Sequence, residues 1–173
     1  MRSTKLLGLS AVAPAAALAL FVCVSSSSAT AAELKSSQCR SAGDLILQGL
    51  PAEWQPFQKF VMDCPVRSPE GSRALSLIAV SAEHYYRQLP SGATMIKMPK
   101  PLLYSRQHTV IGELPLNFPD DPPVELHITF TDWHNGFPNL IKLHVLDPAA
   151  AGNRDLAPLR WDATAQRYSA EKL

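Results

Sequence analysis

The sequence predicts an α+β fold: N-terminal helices packed on one face of a C-terminal antiparallel sheet, a meander of hairpins, with one disulfide. Three observations lead there. Apolar residues recur at helical spacing before Gly92, whereas alternation and turn signals dominate after it. Two alternating runs flank Asn135-Gly136, the preferred centre of a two-residue hairpin. Beyond an export-type leader only Cys39 and Cys64 remain, and two cysteines in an exported chain are expected to pair.

Residues 1–31 read as a cleavable signal peptide. Arg2 and Lys5 open it, Leu6 to Val24 run without a charge, and Ala29-Thr30-Ala31 has the small-x-small pattern of a cleavage site. An uncleaved anchor and a lipid-bearing Cys23 are the alternatives. Pro14 and the cleavage pattern argue against the first, and the bulky Val22 before Cys23 against the second. The expected product is one exported domain, residues 32–173, periplasmic or secreted and without a membrane span. Removing the leader changes 16 basic and 15 acidic residues to 14 and 15, a net charge of −1. With no basic stripe, nucleic acid is not an expected partner. About 140 residues suffice for one domain with its own core.

Ser41 caps an expected helix over Ala42 to Leu50, which Pro51 ends. A second helix is expected from Glu53 to Asp63, where Trp54, Phe57, Phe60 and Val61 share a face with Cys64. Pro56 lies near its first turn, where proline is tolerated. Ser68-Pro69-Glu70 then reads as cap, first-turn proline and first-turn acid of the strongest helix. Its apolar face is Leu75, Ile78, Ala79, Ala82, Tyr85 and Leu89, and Pro90-Ser91-Gly92 stops it. A Cys39–Cys64 disulfide would pin the first two helices and stabilise the fold by roughly 3 kcal/mol.

Residues 93–101 read as a connector in which Met95 and Met98 fill gaps in the core. Leu102 to Phe118 is expected as one long or bent strand, kinked near Gly112 and Pro115. Pro119-Asp120-Asp121-Pro122-Pro123 reads as a rigid solvated turn; it lacks the ligand spacing of a calcium loop. Val124, Leu126, Ile128 and Phe130 alternate with polar residues, as do Ile141, Leu143 and Val145. A turn centred on Asn135-Gly136 makes paired residue numbers sum to 271, and that register sets apolar residues opposite one another. It also puts Pro138 opposite Trp133 at a non-hydrogen-bonded site. Asp147 to Leu156 reads as a loop. A second hairpin closes the chain, with Asp162 opposite Arg167 and Trp161 opposite Tyr168.

Two groups of residues could carry chemistry. His127 and His144 are set face to face by the hairpin register, with Glu125 diagonal to His144. Two imidazoles and a carboxylate are a zinc-type ligand set, although Lys142 on the same face disfavours a cation. The hairpin tip carries Trp133, His134, Asn135 and Phe137, and aromatic side chains at a turn are suited to anchoring a partner. The alternative is that Trp133 or Phe137 folds down over the sheet. His84 and Arg87 read as an ordinary solvated helix face. The chain has no Gly-x-Ser-x-Gly elbow and no glycine-rich phosphate loop. The expected function is therefore a non-catalytic binding or inhibitor/immunity-like module. Its partner would be a protein or small ligand of the cell envelope, and no cofactor is expected. A metal-dependent hydrolase using His127, His144 and Glu125, or a structural envelope component, are the alternatives.

Overall fold

Strands 73–80 and 61–67 overturn the expected helix-on-sheet plan. The computed structural model describes residues 31–91, 97–115, 125–146 and 152–171, and these form a mostly β architecture of two antiparallel sheets. Residues 1–30 of the expected export leader, Met95, the expected Pro119–Pro123 turn and the first residues of the Asp147–Leu156 loop lie outside the described residues. No helix among the described residues is long and apolar enough to cross a membrane.

The first sheet is built from β1 (Ala32–Glu33), β7 (Glu125–His134), β8 (Phe137–Leu146), β10 (Leu159–Asp162) and β11 (Arg167–Ala170), in that spatial order. A short strand, β9 (Arg154–Asp155), also pairs with β8, so part of the expected loop is strand. The second sheet is β2 (Arg40–Ser41), β3 (Val61–Arg67), β4 (Arg73–Val80), β5 (Leu102–Tyr104) and β6 (Val110–Glu113).

β4 occupies the centre of its sheet, and its sequence shows why it reads as a helix. Leu75 and Leu77 enter the core between the sheets, while Ile78 and Val80 enter a second core on the outer face. A strand buried on both faces is a continuous apolar run, and such a run carries no period-2 signal. Ser68-Pro69-Glu70-Gly71 is a hairpin turn and not a helix start. The Gly71 amide donates to the Ser68 carbonyl at 2.8 Å, and Gly71 takes φ +87°. Proline at the second turn position and a left-handed glycine at the fourth suit a type I turn with a bulge. Only Ala82–Arg87 (α2) of the expected long helix is helical.

The other expectations fare unevenly. α1 (Asp44–Gln48) lies within the first expected helix. The second is a 3-10 segment over Ala52–Phe60, after which β3 begins. Trp54 and Phe57 of that segment are buried against Val61, Ile78, Tyr85 and Leu102. Of the expected long strand over 102–118, residues 102–113 form instead the β5–β6 hairpin, turned by Ser105–Thr109, and 116–118 lie outside the described residues. Here Ser105 Oγ accepts the amides of Gln107 and Thr109 at 3.1 and 3.3 Å, and His108 adopts φ +60°. A serine side chain thus does what glycine or proline does in more legible turns.

The β7–β8 register is the expected one, with every pair from Glu125–Leu146 to His134–Phe137 summing to 271. Asn135 and Gly136 take φ +50° and +73°, as a type I′ turn requires. The closing hairpin pairs Asp162 with Arg167 and Trp161 with Tyr168. The Cys39–Cys64 disulfide is formed and ties the approach to β2 onto β3.

Phe130, Ile141, Leu143 and Leu159 of the first sheet meet Val66, Leu75, Leu77, Leu103 and Leu114 across the main core. At the β6–β11 corner the sheets nearly touch. A Cβ on Gly112 would stand 3.0 Å from Tyr168 Cβ.

Candidate functional site

Four hairpin turns gather at one end of the two sheets. Antiparallel pairing of β4 with β5 sets the Ser105–Thr109 turn beside Ser68–Ser72. Pairing of β8 with β10 sets the Ala163–Gln166 turn beside Asn135-Gly136. The two sheets meet here, since a Cβ on Gly136 would lie 3.7 Å from Ser72 Oγ and 3.9 Å from an Arg106 guanidinium nitrogen. Binding groups carried on turns above a rigid β scaffold are a common arrangement for recognition.

Three of these turns enclose an open cleft of about 770 Å³. Its apolar wall is Phe137, Trp161, Val110 and Ile111. Phe137 and Trp161 meet edge-on, with centroids 4.9 Å apart and planes at 65°. Both rings rest on Tyr168, at 5.9 and 5.2 Å. Tyr168 is 2% exposed and its hydroxyl donates to the Pro138 carbonyl. Burial pushes this phenol far above its ordinary range, so it stays neutral and holds the rings as a fixed floor.

The polar wall is neutral. Ser105, Gln107, Thr109, Asn139 and Gln166 line it, and no Asp, Glu, Lys or Arg is among the lining residues; His134 is their one titratable group. The Ser105 and Thr109 hydroxyls bond each other at 2.6 Å. Across the cleft Asp162 Oδ1 accepts the amides of Thr164 and Ala165 at 2.8 and 3.0 Å. The walls are thus held by bonds within each turn, and the arrangement is suited to contact and hydrogen bonding.

The structure divides the expected hairpin-tip site. His134 and Phe137 line the cleft, whereas Trp133 and Asn135 do not. Trp133 is half-buried against the main core, and its indole N–H donates to the Phe130 carbonyl at 3.1 Å. It folds down over the sheet. Asn135 is exposed and shapes the turn. Sequence reading missed Trp161, Gln107, Thr109 and Gln166 as site residues, because they come from other hairpins. The Trp161–Tyr168 pairing was a usable signal, since it marks an aromatic cluster beside a turn.

Two members of the expected metal group can be placed. His127 and His144 stand opposite each other as the register requires. Glu33 of β1 lies 2.8 Å from His127 Nδ1, and Asp155 of β9 lies 2.7 Å from His144 Nδ1. Glu125 pairs with Leu146 through its backbone, and its side chain is outside the described residues. Among the described residues no group of three or more His, Cys, Asp or Glu side chains is placed to hold a metal ion.

A further polar cluster sits on the second sheet. Asp63, 2% exposed, receives Arg73 at 3.1 and 3.2 Å and Arg40 at 3.4 Å, and Arg73 also donates to buried Ser76. Both Asp63 oxygens are paired, whereas Arg73 Nε is buried without a hydrogen-bond partner, and the cluster holds β2, β3 and β4 together. No protein family, curated protein or solved structure matches the chain.

Proposed function

We propose that the protein is an exported, non-catalytic binding module of the cell envelope whose recognition surface is the cleft at the turn end. One observation carries the reading. Three turns from two different sheets converge on a concave surface with a rigid aromatic floor and a neutral hydrogen-bonding rim. That combination of a mostly apolar concavity and a few placed polar groups is the usual form of a ligand site. Export is supported by the leader pattern of residues 1–31.

The test is retention of envelope material on the immobilised protein, with and without chelator. Wild type and a His144→Ala variant are expected to retain the same material in both conditions. A Phe137→Ala/Trp161→Ala variant, checked for its β circular-dichroism spectrum, is expected to lose it. Retention that ignores the cleft substitutions, or that vanishes with chelator, refutes the reading.

A further inference from the structure

We infer that the cleft takes a neutral, hydroxyl-rich saccharide; the inference rests on the cleft being the recognition surface.

Charge comes first. A cleft built for an anionic or cationic ligand presents complementary charge, and the lining residues here carry no permanent charge. Hydrogen-bonding capacity comes second. Gln107, Asn139 and Gln166 each offer an amide with both a donor and an acceptor, and Thr109 adds a hydroxyl. Sugar hydroxyls likewise donate and accept, so such a rim can satisfy them in either direction.

The apolar floor is the third element. Sugar rings have C–H faces that lose water favourably against aromatic surface, while their edges stay polar. Phe137 and Trp161 supply that surface on a floor fixed by buried Tyr168. A fixed floor reduces the ordering cost of binding.

An extended peptide is the competing ligand of similar size, and the cleft suits it less well. Peptides commonly dock by adding a strand to unpaired backbone groups. In the turns, backbone groups already bond internally: Ser105 with Thr109, and Thr164 and Ala165 with Asp162. The edge strand β6, whose Val110 and Ile111 also line the cleft, is crowded by β11 at the Gly112–Tyr168 corner, which leaves little room for an added strand there. Side chains remain to do the recognising.

The experiment is a titration of the whole protein with cellopentaose, chitopentaose and maltopentaose. Tryptophan fluorescence and backbone amide resonances are followed. A sulfated oligosaccharide and a neutral unstructured peptide serve as comparison probes. At least one neutral oligosaccharide is expected to bind, shifting the resonances of Thr109, Asn139 and Gln166. Trp161→Ala is expected to weaken binding about tenfold or more, equivalent to about 1.4 kcal/mol. Gln107→Ala, at an exposed turn position, is expected to weaken it about threefold without any effect on folding. Raising salt is expected to change the dissociation constant by less than about twofold, because no ion pair forms. The saccharide class is overturned if no neutral probe binds up to about 10 mM, or if the sulfated probe or the peptide binds more tightly. Should envelope retention still depend on Phe137 and Trp161 in that case, the cleft reading stands and only the ligand class falls. If retention is also insensitive to them, both fall.

Discussion

Substituting Gly112 tests the closure of the two sheets at the corner that carries the cleft's apolar wall. Gly112 lies on β6 beside Ile111, and its φ is not in the left-handed region, so alanine meets no backbone obstacle. A strand alanine would even gain about 0.5–1 kcal/mol over glycine from the smaller entropy loss. Against this, the new Cβ would stand 3.0 Å from Tyr168 Cβ and 3.3 Å from Leu103 Cδ1. Leu103 is fully buried and Tyr168 nearly so. A Cβ cannot rotate away from its own backbone, so β11 must shift relative to β6. Overpacking of this kind costs about 1–3 kcal/mol. The net expectation is a loss of about 1–2 kcal/mol, or about 3–6 °C in Tm for a domain of this size. Urea and thermal unfolding of Gly112→Ala measure it directly. Gly49→Ala is the control, because a Cβ there meets only ordinary contacts at 3.6 Å or beyond; it is expected to stay within about 0.5 kcal/mol of wild type. A Gly112→Ala protein as stable as wild type would show that β6 and β11 do not close as described.

Two other outcomes follow from buried groups. Above about pH 10 the unfolded tyrosines ionise while Tyr168 stays protonated in the fold, and Tyr104, also raised by burial, adds in the same direction. The folded state then holds more protons, so stability falls as pH rises, by a slope that approaches about 1.4 kcal/mol per pH unit for Tyr168. Tyr168→Phe is expected to flatten that slope by one phenol's share, read from denaturant midpoints between about pH 9.5 and about pH 11; parallel slopes would contradict the burial of its hydroxyl. Asp63→Ala strands Arg73 beside buried Ser76 and is expected to cost about 3 kcal/mol in urea unfolding, whereas a loss below about 1 kcal/mol would show that the ion pair does not matter.

The parts of the fold legible in the sequence are those whose cause is local. Alternation through Leu126, Ile128 and Phe130, with Asn135-Gly136 two residues wide, specifies the β7–β8 register without any knowledge of neighbours. The closing hairpin and the facing of His127 and His144 follow from the same logic. The Cys39–Cys64 pair follows from counting. Turn chemistry was ambiguous elsewhere: Ser68-Pro69-Glu70 suits a helix start and a type I turn alike, and Ser105–Thr109 turns without glycine or proline.

Tertiary structure decided the rest. Whether Leu75, Ile78 and their neighbours are helix or strand depends on apolar layers lying on both sides of them, and those layers come from distant segments. The cleft has the same origin. Phe137, Trp161 and Thr109 belong to three hairpins, each formed by local pairing, yet their approach depends on how the two sheets pack at the Gly112–Tyr168 corner. A strand's own sequence governs its pleat and its turn; which face meets which neighbour is set by burial of apolar area over the whole chain.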